Sequence, residues 1–374
     1  MIGWGDVYKV VEAMAPLYMA LFLGYASIRW WNMFKPENCA AINRFNCYFI
    51  IPFFNFRFIS QVNPYTMNYR FLASDAVAKS AVAAVLVAWA NCARKGGFDW
   101  SLTTFSLSTL NNTLVVGVPL LQAMYGDLGF DIVVQSAVIQ AALWLTFLLF
   151  GLEFRRTRLT ETSSPDIGNG VDENVENSAG MGGDVELAAG GNADDAVITT
   201  RVVMNVRNKT SFGTLIKVVS LKLAKNPNSY AWLFGMVWAL VSYRWHFKMP
   251  GIVDQSILIL AKAGSGVAMF NMGLFMALQE KIISCGTGLT IYGLVLRFVI
   301  GPATSALGAM LLRLHGDVFK IAIVQAALPQ STTAFVYGNE YGLHADVIST
   351  AVIIGTIVSL PVLIGYYAAL DLLH

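Results

Sequence analysis

Asn111, Asn112 and Thr113 stand side by side in the middle of an apolar stretch, SLSTLNNTLVVGVPLLQAMYG (Ser106–Gly126), which also holds Gly117 and Pro119. A second apolar stretch, Ala322–Gly342, carries AALPQSTTAF, so that Gln330, Ser331 and Thr332 follow Pro329. Hydrocarbon does not tolerate unpaired amides or a broken backbone unless protein or a water-filled cavity surrounds them. A helix broken at such a point starts its second half with free backbone N–H groups and the positive end of a helix dipole. Two of these ends converging from opposite directions make a site for an anion, with Asn112, Thr113, Gln330 and Ser331 as further donors. A carboxylate is then held without a buried arginine that would bind it too tightly for turnover. The plainer alternative is a pair of proline-kinked helices that only pack, with Asn112 capping its half-helix.

Other polar residues fall at membrane depth. Asp75 and Lys79 are four apart, share one helix face and can pair. Gln140 is a third. A lone charge at the bilayer centre costs about 2.5–3.5 kcal/mol on insertion scales, so the pair is either functional or a structural lock. Asn55 and Asn271 follow irregular points in two further spans. Lys262 and Arg297 can snorkel or close a gate and receive no substrate role. The four histidines lie near predicted span ends, and there is no nucleophile elbow, P-loop or HExxH. The four cysteines have no metal-ligand or disulfide spacing. The chain therefore reads as a non-enzyme that needs no cofactor and no metal.

The elements that must position these residues are membrane helices. The 374 residues are 56% hydrophobic and only 13% charged, with a mean hydropathy of +0.57, against roughly 25% charged for a soluble domain. At about 20 apolar residues per crossing, the length accommodates roughly ten spans. The net charge of +2 is too small and too scattered to suggest nucleic acid. No basic leader precedes the first span, which is expected to direct insertion itself. The expected spans are 7–31, 36–60 (interrupted by Pro52), 71–93, 106–126, 132–154, 229–245, 250–278 (loose over Lys262–Gly266), 286–312, 322–342 and 346–370. Between the fifth and sixth spans, Glu161–Asp195 has nine acidic residues, seven glycines and no basic residue. It cannot bury enough apolar surface to offset its ordering entropy. The segment after it, Gly213–Lys225, has the apolar spacing and lysines of an interfacial amphipathic helix. Arg94, Lys95 and the basic residues flanking the linker place the linker in the cytosol and both termini on the other side.

Matching features recur at a nearly constant offset. Pro36 and Pro250 are 214 apart, Phe54-Asn55 and Phe270-Asn271 are 216 apart, and Leu110-Asn111-Asn112 and Leu328-Pro329-Gln330 are 218 apart. Tyr125-Gly126 and Tyr341-Gly342 are again 216 apart. Five spans per copy is odd, so the second copy must be inverted. The expected fold is an all-α integral membrane protein. Its ten transmembrane helices form two inverted five-helix repeats, residues 1–154 and 213–374 about a linker at 155–212, with crossed broken helices 4 and 9.

NPYTMNYRFLASDAVAK, GVPLLQAMYGD, NMGLFMALQ, VQAALPQSTTAFVYGNEYGLHADVISTAVI and SLPVLIGYYAALDLL resemble the PIN-formed auxin efflux carriers of plants over essentially the whole chain except the linker. The resemblance implies export of the indole-3-acetate anion (auxin) by elevator-type alternating access in a homodimer within the lipid bilayer. Spans 1, 2, 6 and 7 would form the scaffold and dimer interface, and spans 3–5 and 8–10 the moving domain. It implies Asn112 as the carboxylate contact, Asn55 as a scaffold-side contact, Pro329 as the crossover proline, and Asp75, Lys79 and Gln140 as supporting residues. The full set of expected substrate contacts is Asn112, Thr113, Asn55, Ile51, Gln330, Ser331 and Thr332. Two departures stand out: Asn111 occupies the place of the usual crossover proline, and Asn55, followed by Arg57, that of the usual serine. The short linker resembles members of the endoplasmic reticulum membrane, the plasma membrane being the alternative. Two rival functions remain at this point: a carrier of another organic carboxylate, with or without sodium coupling, and a non-transporting membrane receptor or interaction protein.

Overall fold

The computed structural model describes residues 4–92, 97–162, 212–281 and 283–372. The acidic stretch from position 163 onward, Arg94, Lys95 and the basic residues from 201 to 209 lie outside the described residues. Among the described residues the chain is helical throughout: α1 Trp4–Arg29, α2 Pro36–Phe45, α3 Ile51–Ile59, α4 Tyr69–Cys92, α5 Gly97–Thr109, α6 Val118–Ile139, α7 Leu145–Thr162, α8 Phe212–Lys225, α9 Pro227–Trp245, α10 Gly251–Leu278, α11 Thr287–Val295, α12 Gly301–Leu311, α13 Gly316–Ala326, α14 Thr332–Glu340 and α15 Ala345–Leu372. Six runs are long and apolar enough to cross a membrane, among them Tyr69–Cys92, Gly251–Leu278 and Ala345–Leu372. The fold is that of an all-α membrane protein.

Prolines shape several of these helices. Single π-helical turns occupy Asn46–Ile50, Thr113–Gly117 and Leu296–Ile300, and each is followed two residues later by a proline: Pro52, Pro119 and Pro302. Proline has no N–H and its ring crowds the carbonyl one turn back, so a widened turn ahead of it relieves the clash without ending the helix. The carbonyl that Pro302 cannot serve, Phe298 O, accepts from the Tyr366 hydroxyl at 2.5 Å. The interruption expected at Pro52 is therefore displaced to Asn46–Ile50, and α3 carries the proline in its first turn.

Two expectations about boundaries are corrected. The broken helices start earlier than the apolar runs suggested, at Gly97 instead of Ser106 and at Gly316 instead of Ala322. Their first turns hold the polar residues Asp99 and Asp317, which an apolar window rejects but which suit a helix N-terminus. The stretch Lys262–Gly266 is not loose. It lies inside the unbroken α10, where Gly264 makes room for the Phe54 ring.

Packing sorts the helices into two sets. α1 and α10 approach backbone to backbone: a Cβ on Gly24 would lie 2.1 Å from the Phe270 carbonyl oxygen, and one on Gly273 would lie 2.0 Å from that of Leu21. α3 packs between α9 and α10, with Gly235 against Ile59. In the other set α4 lies on α5 and α12, Gly308 meeting the Ser74 carbonyl. α6 turns a corner at Gly126, whose φ of +61° only glycine adopts freely. Gly342, its counterpart 216 residues on, has a φ of +60°.

Candidate functional site

The two broken helices cross as a pair of short extended segments. Leu110–Asn112 lies between α5 and the π turn Thr113–Gly117, and Ala327–Ser331 lies between α13 and α14. Asn111 and Gln330 form an antiparallel bridge. Asn112 N donates to Pro329 O at 2.9 Å, and Ser331 N donates to Leu110 O at 3.1 Å. Each break thus satisfies backbone groups that the other leaves open, the condition for irregular backbone inside a membrane protein.

Side chains fix this geometry. Asn111, 3% exposed, has its N–H bound by Gln140 Oε1 at 3.1 Å and its carbonyl by Gln140 Nε2 at 2.6 Å. The Asn111 side chain donates to the Gln325 carbonyl at 2.6 Å and accepts from Arg297 Nη2 at 3.1 Å. Gln325 in turn donates to the Ser136 hydroxyl. Without proline at 111, the break is held open by hydrogen-bond partners on three neighbouring helical segments: the Gln140 amide, the Gln325 carbonyl and the Arg297 guanidinium. Gln140 opens a further π turn, Gln140–Trp144, and the Val138 carbonyl just before it accepts from Trp232 Nε1 at 3.2 Å.

The expected site residues divide by what their side chains do here. Asn112 is half-buried, with φ −83° and ψ 70°, and its amide does not cap the turn it precedes. The first N–H groups of Thr113–Gly117 are therefore not taken by a side-chain cap. Thr113 is buried and accepts weakly from Gln140 at 3.4 Å. Ser331 caps α14 through the Ala334 N–H, and Thr332, half-buried, begins that helix. Gln330, expected to face an anion, instead gives Nε2 to the Ser106 carbonyl and hydroxyl, both at 3.0 Å. Its Oε1 accepts from Arg297. At 1% exposure its amide is spent on holding the crossing, because a buried amide left unpaired there would cost about 1–3 kcal/mol.

Asn55 and Ile51 lie on α3, both partly buried. Asn55 donates to Asn228 Oδ1 at 3.4 Å, and Arg57 pairs with Asp254. Asn271 turns away to Asn43 at 2.8 Å. The structure does not join Asn55 or Ile51 to the crossing by hydrogen bonds. Asp75 and Lys79 pair at 2.9 Å on α4, with Lys79 Nζ 5.9 Å from the Trp144 ring. They stand behind the Gln140 turn without touching the crossing segments by hydrogen bond.

Sequence reasoning missed the deepest charge. Arg297 does not snorkel; it is 1% exposed and bonds the crossing directly. The signal was available in its position. Arg297 is 218 residues beyond Lys79, the offset that relates Asn112 to Gln330.

The family described as membrane transport protein matches residues 9–367. The chain is 52% identical over 374 residues to auxin efflux carrier component 5 of Arabidopsis thaliana, covering all of both chains. It is 52% identical over 376 residues to probable auxin efflux carrier component 5a of Oryza sativa subsp. japonica, again end to end. Auxin efflux carrier component 8 of Arabidopsis thaliana is 40% identical over 381 residues, also covering both chains in full. The chain is a membrane transporter, not an enzyme, and belongs to the membrane transport protein family and, within it, to the auxin efflux carriers of plants.

Proposed function

We propose that this protein carries the indole-3-acetate anion across a membrane by elevator-type alternating access, with the carboxylate at the α5–α13 crossing. The observation that supports this most is Asn112. Its amide is uncommitted among the described residues, at the start of a half-helix whose N–H groups lack a side-chain cap, within a crossing whose other side-chain amides, Asn111 and Gln330, are already paired. Thr113, Ser331 and Thr332 supply neighbouring donors, and Asn55 and Ile51 on α3 face the substrate from the other helix set. Gln140, Gln330, Asn111 and Pro329 keep the crossing open, and Asp75 with Lys79 supports it.

In this reading α1, α2–α3, α9 and α10 form the scaffold and the surface of a homodimer, and the remaining spans move as a unit. The matched positive φ at Gly126 and Gly342 supports ten spans in two inverted repeats, residues 1–154 and 213–374. The 52% identity to a component 5 carrier, without added length, supports a short linker, and we place the carrier in the endoplasmic reticulum membrane with the linker cytosolic and both termini lumenal. Flux of labelled indole-3-acetate into sealed vesicles, with membrane potential and pH gradient set separately, tests the proposal. Saturable flux that follows the potential is expected, and flux no greater than in protein-free vesicles would overturn it.

A further inference from the structure

Arg297 brings a full positive charge into the interior with no carboxylate within 4 Å of it among the described residues. Its partners are neutral oxygens. Nη1 donates to Leu107 O at 3.2 Å, Leu110 O at 2.8 Å and Gln330 Oε1 at 3.4 Å. Nη2 donates to Ala326 O at 2.6 Å and Asn111 Oδ1 at 3.1 Å. Leu107 lies in the last turn of α5, Leu110 directly follows that helix, and Ala326 ends α13. One guanidinium therefore joins the ends of both first half-helices, one nitrogen to each.

The four helix ends at the crossing carry opposite signs. A helix C-terminus is equivalent to roughly −0.5 charge and an N-terminus to roughly +0.5. The two first half-helices thus bring about −1 to the crossing and the two second half-helices about +1, which leaves no net attraction for an anion. Arg297 cancels the negative pair. We propose that Arg297 is the fixed countercharge of this crossing, a positioning residue that leaves one net positive charge and so selects monoanionic carboxylates over their neutral amides. The charge can be permanent without binding the substrate too tightly, because the guanidinium spends its Nη1 and Nη2 donors on carbonyl oxygens and does not meet the carboxylate.

This inference rests on the crossing being the anion site, and the test separates the two. Binding of indole-3-acetate and of neutral indole-3-acetamide is measured at equilibrium on the purified full chain in lipid nanodiscs, with melting curves alongside. Wild type, Arg297→Lys and Arg297→Gln are compared. Wild type should prefer the anion. Arg297→Lys, which keeps the charge but cannot fork to both helix ends, should melt lower yet keep the preference to within about threefold. Arg297→Gln should lose roughly tenfold or more of its anion affinity, as expected for a lost unit charge in a partly desolvated site, with its amide affinity unchanged. Folded Arg297→Gln that binds the anion as wild type does, or folded Arg297→Lys that loses the preference, overturns the countercharge role. If Arg297→Gln does not fold, the Arg297→Lys preference decides alone, and failure of both to fold makes the residue a structural clamp only. Absence of anion binding by wild type instead removes the transport reading on which the inference stands.

Discussion

Asp75 and Lys79 face each other at 2.9 Å, and neither interacting atom has another hydrogen-bond partner among the described residues. A buried pair without such support gains little net stability, but removing one member leaves the other charge stranded, at a cost of about 3–5 kcal/mol. Asp75→Asn is expected to slow turnover more than it weakens binding, because Lys79 would then seek a new partner near Trp144 each time the helices shift. Asp75→Asn combined with Lys79→Met should recover the thermal stability. Unchanged turnover in Asp75→Asn would make the pair a structural lock only. A second expectation concerns His344, which sits between α14 and α15, stacks on Trp100 at 4.1 Å and bonds Thr103 at 2.8 Å. Burial lowers its pKa, with Asp99 opposing and Arg155 assisting. A lowered folded pKa means that its contribution is complete above the ordinary histidine value of about 6.5 and is lost as pH falls through the folded value. Melting temperature should therefore drop more steeply on acidification in wild type than in His344→Asn; parallel curves would refute this. At this scale much of the site was legible. Asn112, Gln140, Asp75 and Lys79 are unusual in hydrocarbon by residue type alone. The roles of Gln330 and Arg297 were not, since sequence does not say which way a buried side chain turns.

Among the elements, the α1–α10 pair depends on the absence of side chains at two points. The atoms that a Cβ on Gly273 would meet are the Leu21 carbonyl and the Tyr25 N–H nitrogen, at 2.0 and 2.8 Å. Backbone cannot yield as a flexible side chain does, so helices joined through small residues separate when these are enlarged. Gly273→Ala should lower stability by about 1–3 kcal/mol, the usual cost of overpacking. Gly266→Ala, in the same helix with open space around it, should be neutral or stabilising by up to about 1 kcal/mol through helix propensity. Equal melting temperatures for the two variants would contradict this packing. Span positions were readable from apolar length and from proline. The half-helix starts at Gly97 and Gly316 were not, because their first turns are polar, and α10 stays helical through Gly264 and Gly266 because the Phe54 ring fills the gap at Gly264.

For the molecule as a whole, the connection after the linker is tied to the helix set that holds the crossing. Lys222 of α8 pairs with Glu153 at 2.8 Å and Glu340 at 3.2 Å, and donates to the Tyr341 hydroxyl at 2.6 Å. The amphipathic spacing of this helix was visible in the sequence, but its ionic docking to residues 69 and 118 positions away was not. The 216-residue offset was visible in the sequence, and both of its glycines, Gly126 and Gly342, take a positive φ in the structure. The proposed anion site lies at the crossing, and Asn112 is its most exposed amide. The most direct measurement is labelled indole-3-acetate flux and equilibrium binding for Asn112→Ala in vesicles, with folded protein quantified by its melting curve. Flux and binding should fall at least tenfold at unchanged melting temperature, which is the loss of about 1.4 kcal/mol or more of substrate interaction. Wild-type flux and affinity in folded Asn112→Ala would contradict the placement of the carboxylate at the crossing.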